Sequence, residues 1–306
     1  MMKRRNEKKM TNSKREILIG LCFVLPGLIY MLVMIGYPIA YNLFMSFQDV
    51  SVFNIGAGEE KPWIGLENYR KIFANETMLP ALKNTFLYTV VCLAVQFSVG
   101  LLLALLFHRD FALAKPLRGF LVVSWMMPVT VTALLFKYML SPDVGIINTV
   151  LVKTGLLREP VGWLLGEKTA IWGPIMANSW IGIPFNMLLL STGLSGIPQD
   201  VYESAAVDGA NAWQRFTRIT LPLLGPAIMS VLVLGFVNTF KVFDLIFVMT
   251  GGGPVNATEV LSTFAYKQSF QYYYFGQGAA VANVLMAILL AVALLYLWLI
   301  RKEEMG

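Results

Sequence analysis

Long apolar runs separated by short polar connections dominate this chain. Six are long enough to cross a hydrocarbon core of about 30 Å, which takes roughly 20 helical residues. They lie near 17–37, 84–107, 120–140, 170–191, 223–249 and 279–300. The second carries no charge between Lys83 and Arg109, and the sixth closes a charge-free run from Gln268 to Ile300. A spanning segment must pair its backbone groups internally, so all six are predicted helices. The expected fold class is an all-α membrane protein with six transmembrane helices. A tail at 1–16 and another at 301–306 flank the 17–300 bundle.

The polar exception is 197–222, which begins Ile197-Pro-Gln-Asp-Val-Tyr-Glu203-Ser-Ala-Ala206-Val-Asp208-Gly209-Ala and ends Ile219-Thr-Leu-Pro222. Pro198 suits a first helical turn, where Asp200 and Glu203 meet the positive end of the dipole. Tyr202, Ala205/Ala206 and Gly209 recur at i, i+3/i+4 and i+7, a small-residue face around one aromatic. Gly209 is a natural left-handed stop. Asn211 with Gln214 three residues on predicts the cap of a second short helix, and Pro222 breaks the chain before the fifth span. Two readings fit this pattern: an amphipathic connection, or a docking element for another protein.

Only 14% of the 306 residues are charged, 57% are hydrophobic, and mean hydropathy is +0.65. Soluble domains carry about 25% charge, so composition also points to a membrane protein. Basic residues crowd the N-terminal tail (Lys3, Arg4, Arg5, Lys8, Lys9, Lys14, Arg15), with Arg109, Lys115 and Arg118 in the second connection and Arg301 and Lys302 at the end. The positive-inside rule places both tails, 108–118 and 192–222 in the cytoplasm. The tail is not expected to be a cleaved signal peptide, because the apolar run is too long and lacks a small-residue cleavage site. The net charge of +6 fits topology and attraction to anionic membrane lipid, with no sign of nucleic-acid binding.

Catalytic chemistry is poorly supplied. Cys22 and Cys92 lie inside predicted spans and read as buried free thiols, and His108 is the one histidine. No ligand set for a metal follows. Gly193-Leu-Ser195-Gly196 misses the nucleophile-elbow spacing, and Gly251-Gly-Gly253-Pro254 lacks the lysine and hydroxyl of a phosphate loop. The expectation is a non-catalytic chain with no cofactor of its own.

Glu203-Ser-Ala-Ala-Val-Asp-Gly209 followed by Ile219-Thr-Leu-Pro222 resembles the EAA loop of bacterial ABC importer permeases. Met249-Thr-Gly-Gly-Gly-Pro254 resembles the corresponding segment of the carbohydrate branch, with maltose-type and glycerol-3-phosphate-type permeases. Leu25-Pro26, Tyr37-Pro38 and Trp180-Ile-Gly182-Ile-Pro184-Phe185 agree. Ser204 departs from the usual alanine but stays small. The resemblance implies a binding-protein-dependent importer subunit in the bacterial inner membrane, carrying a sugar or sugar derivative into the cytoplasm. Its implied partners are a second homologous permease, an ABC ATPase dimer holding ATP and Mg, and an extracytoplasmic sugar-binding protein. Glu203 and Asp208 become polar contacts to the ATPase, Gly209 the hinge, and Ala205 and Ala206 the packing surface, with Tyr202 among the coupling residues.

The same resemblance puts Gly182, Phe185, Gly235, Asn238, Thr239 and Val242 on the substrate path. The last four fall at i, i+3, i+4 and i+7 on one helical stripe, although helix–helix packing also enriches small and amide residues. Lys241 and Asp244 are opposite charges inside a predicted span. At i, i+3 they read as a structural ion pair at a subunit interface, with attraction of an anionic cargo as the alternative. Phe270-Gln-Tyr-Tyr-Tyr-Phe275 reads as an interfacial aromatic belt, with contact to the binding protein as the other reading. A stand-alone channel or secondary carrier is the rival class, disfavoured because no inverted repeat is evident.

Overall fold

Helices account for nearly all the regular structure in the computed structural model, which describes residues 17, 19–56, 58–109 and 111–305, the side chains of 300–305 excepted. The expected tail at 1–16 lies outside them, as do the side chains of Arg301 and Lys302. Among the described residues the only strand-like pairing is an isolated bridge between Gln48 and Trp63.

The first span, α1 (Ile19–Met45), is longer than expected and passes Pro38 through a π turn at Leu32–Gly36. Its apolar side chains are exposed on every face, which suits lipid or another chain. Among the described residues it is fastened near its far end. There the Asn42 amide donates to Asn283 (2.8 Å), and the Ser46 hydroxyl meets that of Tyr69 (2.9 Å) on α2 (Glu67–Ala74). Cys22 is exposed on this helix, against the expectation of a buried thiol, whereas Cys92 is buried.

The second span, α3 (Met78–Phe107), starts six residues before the apolar run at 84. The third is not one helix. α4 (Ala114–Met126) and α5 (Val129–Met139) meet at 98°, because Pro128 removes a donor and pushes Met127 to extended backbone. After α6 (Ile146–Lys153), α7 (Trp172–Ser195) runs back alongside α3. Their approach is close: a Cβ on Gly100 would lie 2.8 Å from that of Asn186. Pro184 inside α7 orphans the carbonyl of Trp180, and the Ser124 hydroxyl on α4 reaches it (3.5 Å).

α8 (Gln199–Val207) turns 67° away from α7, and α9 (Ala212–Leu223) returns, containing a π turn at Phe216–Thr220. The expected capping box is present. Gln214 N donates to Asn211 Oδ1 and Asn211 N to Gln214 Oε1, both at 2.9 Å.

The predicted fifth span is also broken. α10 (Gly225–Phe240) ends at Lys241, and α11 (Asp244–Met249) begins three residues later. The carbonyl of Val242, freed at the break, accepts from the Ser262 hydroxyl. α12 (Leu261–Tyr266) continues through a π turn at Lys267–Gln271, and α13 (Phe275–Met305) is the last span.

Three apolar clusters hold the bundle. One lies around Tyr88, Phe136, Ile175 and Ile246, a second around Ile72, Phe240, Phe264 and Val281, and a third around Phe107, Met187, Leu194 and Leu224. The third cluster supports the α8–α9 hairpin. The first two hold the opposite, loop-rich end.

Candidate functional site

Polar side chains are scarce in this bundle, and one group of them meets between α3, α4, α7 and α10. The convergence encloses a cavity of about 250 Å³. Gly182 and Phe185 from α7 and Gly235, Asn238 and Thr239 from α10 all line it, so five of the six predicted pathway positions share one space. Val242 does not. It lies beyond the end of α10, where the helical stripe stops, and is buried in the first apolar cluster.

Sequence reasoning missed five further lining groups: Gln96, Trp125, Asn178, Ile181 and Asn186. Asn178, Gly182 and Asn186 follow each other at i, i+4 and i+8, a face that periodicity alone makes visible. The Gln96 amide donates to the carbonyl of Asn178 (3.0 Å), and that of Asn186 to Gly182 (2.8 Å). Among the described residues, Asn178 Nδ2 and Asn186 Oδ1 are buried with no hydrogen-bond partner. Unpaired amide atoms in so apolar a setting are costly unless something else meets them. The rings of Trp125 and Phe185 lie 5.6 Å apart on one wall. Amides that donate and accept, beside aromatic faces, are the chemistry that binds hydroxyl-rich neutral molecules.

Gly182 is a close-approach glycine. An added Cβ would sit 2.2 Å from the Gln96 carboxamide. Gly182→Ala is expected to push Gln96 off the Asn178 carbonyl, destabilising the purified chain by about 1–3 kcal/mol in thermal unfolding. Gly182→Ala together with Gln96→Ala should cost no more than Gln96→Ala alone, because the clashing carboxamide is gone.

Lys241 and Asp244 make no ion pair, which corrects the expected intramembrane salt bridge. The described ion pairs are Arg70–Glu67 and Lys267–Glu259. The helix ends between the two residues, so the i, i+3 geometry does not exist. Each charge instead suits a helix end, Lys241 at the negative terminus of α10 and Asp244 in the first turn of α11. Lys241 lines a separate crevice of about 540 Å³ with Phe243, Tyr266 and Asn42.

At the hairpin end, Gly209 has φ +78°, the left-handed stop expected after α8. Glu203, Ala206, Asp208 and Gly209 are exposed, and Ala205 is half-buried. Gln199 donates to the Glu203 carboxylate (3.0 Å). Tyr202 is turned inward, its hydroxyl 3.0 Å from that of Thr220. It therefore braces α8 on α9. The most exposed apolar groups are Val207, 89% exposed, and Trp213, 71% exposed, which sequence reasoning passed over.

At the loop-rich end the glycine run packs on the buried ion pair. Gly252 has φ +88°, and any Cβ there would collide with the Glu259 carboxylate. Glu259 is fully buried, and Lys267 is its partner. Burial pushes the Glu259 carboxyl above its ordinary range, with Lys267 pulling the other way. The Asn84 amide ties this loop to α3 by donating to the carbonyls of Ala257 (3.1 Å) and Glu259 (3.0 Å).

Residues 96–304, which include both the amide cavity and the hairpin, match the family of binding-protein-dependent transport system inner membrane components. The chain belongs to that family. It is thus a multi-pass inner membrane component of a transport system. It is 33% identical over 287 residues to the trehalose/maltose transport system permease protein MalF of Thermococcus litoralis, covering 92% of this chain and 94% of the relative. It is 31% identical over 287 residues to the sulfoquinovosyl glycerol transport system permease protein SmoG of Agrobacterium fabrum, covering 94% and 92%. A chain from the crystal structure of a bacterial ABC transporter importing the acidic polysaccharide alginate superposes with a TM-score of 0.81 at 26% identity, covering 96% of this inner membrane component and 99% of its own length. A second structure, that transporter with an alginate pentasaccharide-bound periplasmic protein, gives 0.78 at 25% identity over 94% of each chain.

Proposed function

We propose that this chain is the sugar-translocating permease subunit of a binding-protein-dependent ABC importer, driven by a separate ATPase. The observation that carries the reading is the α8–α9 hairpin. It is a short helix bent 67° from the span that delivers it, capped by Gly209 and presenting bare Val207 and Trp213. An exposed valine on a polar hairpin is worth roughly 1.5–3 kcal/mol once a partner covers it. Tryptophan is among the residues that most often dominate such contacts. In this reading the hairpin and both termini are cytoplasmic, and α8 seats in a groove of one ATPase subunit. A second permease packs across the bundle, and the loop-rich end receives a sugar-loaded binding protein.

Closure of the ATPases on ATP would then move two hairpins as rigid bodies and switch access to the amide cavity. Gln96, Asn178, Asn186, Asn238 and Thr239 supply hydrogen bonds to sugar hydroxyls there, and Trp125 and Phe185 supply ring faces. Relatives named for trehalose/maltose, sulfoquinovosyl glycerol and alginate transport support a carbohydrate cargo.

The test is a cysteine at Val207 in membranes carrying the whole transporter. A short bifunctional crosslinker is expected to join it to the nucleotide-hydrolysing subunit, in a yield that changes with ATP. Capture of lipid or of this chain alone under every nucleotide condition would sink the reading.

A further inference from the structure

A second cavity, of about 230 Å³, opens on the loop-rich end between the start of α3, the α12 π turn and the first turn of α13. Its walls are amides and phenols. Gln268 is only 3% exposed, yet its carboxamide lines the space and has no side-chain hydrogen bond among the described residues. Gln277 on α13 also lines the space and likewise makes none. Across from them, the Asn256 amide donates weakly to the Thr77 hydroxyl (3.4 Å). Tyr272 and Tyr274 are about half exposed and form the rim. The single charge on the wall is Lys267, already engaged by Glu259.

A buried amide without a partner calls for a ligand or for ordered water. Each water takes about 30 Å³, so the space holds several and is not sealed around one. Its chemistry rejects an ion, because the one cation is neutralised. It favours a neutral group with adjacent hydroxyls that can accept from and donate to two carboxamides, while the tyrosine rings cover an apolar face. The volume is below the range of about 300–1,000 Å³ usual for drug-sized ligands, which suits one ring.

We propose that this cavity is a second saccharide subsite, taking one neutral sugar ring at the loop-rich end before the cargo reaches the amide cavity between the spans. The inference rests on the sugar-importer reading and deepens it, since it adds a station on the side where a binding protein would unload.

Saturation-transfer NMR on the complete transporter in nanodiscs, without binding protein, tests it. The probes are the methyl glycosides of glucose, galactose and mannose, with methyl glucuronide as the anionic control. Saturation is expected on the ring protons of at least one neutral glycoside and not on the glucuronide. Asn238→Leu in the other cavity should leave a clear signal, and in that background Gln268→Leu and, separately, Gln277→Leu should weaken it about tenfold. Two leucine variants guard against one that fails to fold. A signal untouched by either, transfer to none of the neutral glycosides, or equal transfer to the glucuronide overturns the subsite. The importer reading stands or falls separately, on the crosslink from Val207.

Discussion

Gly209→Val should uncouple the transporter while leaving the membrane bundle assembled. Gly209 holds φ +78° at the end of α8, where Ala210 N reaches back to the Ala205 carbonyl (2.9 Å) and Gly209 N to that of Ala206 (3.1 Å). Those two bonds close the helix and aim the chain toward Asn211. A side chain at 209 would meet nothing within 4 Å, so the expected damage is conformational and not steric. Left-handed backbone costs a non-glycine residue roughly 1–2 kcal/mol, and branching at Cβ raises it. Asparagine visits this region far more readily. Substrate-dependent ATP hydrolysis and uptake in proteoliposomes are therefore expected to fall roughly tenfold or more for Gly209→Val and only a few-fold for Gly209→Asn. Equal losses in the two variants would mean that, in the proposed docking, the glycine is needed for close contact with the partner and not for its backbone angle.

Much of this architecture was legible in the chain because hydrocarbon tolerates so few alternatives. An apolar run of about 20 residues has to be a helix, and the six runs all sit on helices. The breaks were harder to see. A hydropathy window averages across Met127-Pro128, so 120–140 reads as one span although proline bends it by 98°. The start of α4 hides behind Lys115 and Arg118, charges that read as part of a loop. In fact Arg118 donates to the carbonyl of Phe107 (2.7 Å) and so closes the end of α3. The break at 241–243 contains neither glycine nor proline. Its only trace is the order of charges, a base where one helix ends and an acid where the next begins, which also reads as an ion pair.

The site divides along the same line. The α10 stripe was visible because Gly235, Asn238 and Thr239 obey helical spacing within one segment. Gln96 and Asn178 find each other across 82 positions, and no local pattern announces that contact. Tyr202 sits on the face that periodicity predicts, but its hydroxyl bonds to Thr220, eighteen residues on, and so it serves the hairpin from within.

Lys267→Met is expected to damage the loop-rich end far more than Glu259→Gln does. The two residues form a pair of unequal depth, the glutamate side chain fully buried and the lysine 16% exposed. Removing the lysine strands a carboxylate under Gly252, with one of its oxygens, Oε1, already without a partner among the described residues. Breaking a buried pair in this way costs about 3–5 kcal/mol. Removing the negative charge instead leaves an ammonium that lines the cavity beside Gln268 and can reach water there, a smaller loss. The effect of pH then has a definite sign. Burial raises the Glu259 carboxyl above its ordinary range, and without Lys267 the shift grows. A carboxyl whose folded pKa is raised binds its proton more tightly in the folded state. The Lys267→Met variant should therefore lose stability as pH rises from the ordinary carboxylate range through that raised value. It should recover part of the deficit in acid. Glu259→Gln/Lys267→Met has nothing to titrate and should be nearly as stable as the parent, with the variant's pH dependence gone. Thermal unfolding of the purified proteins in detergent across acid and neutral pH reads all of this. A double variant as weak as Lys267→Met alone would show that the lysine stabilises the glycine loop by its packing, and that the ion pair is incidental.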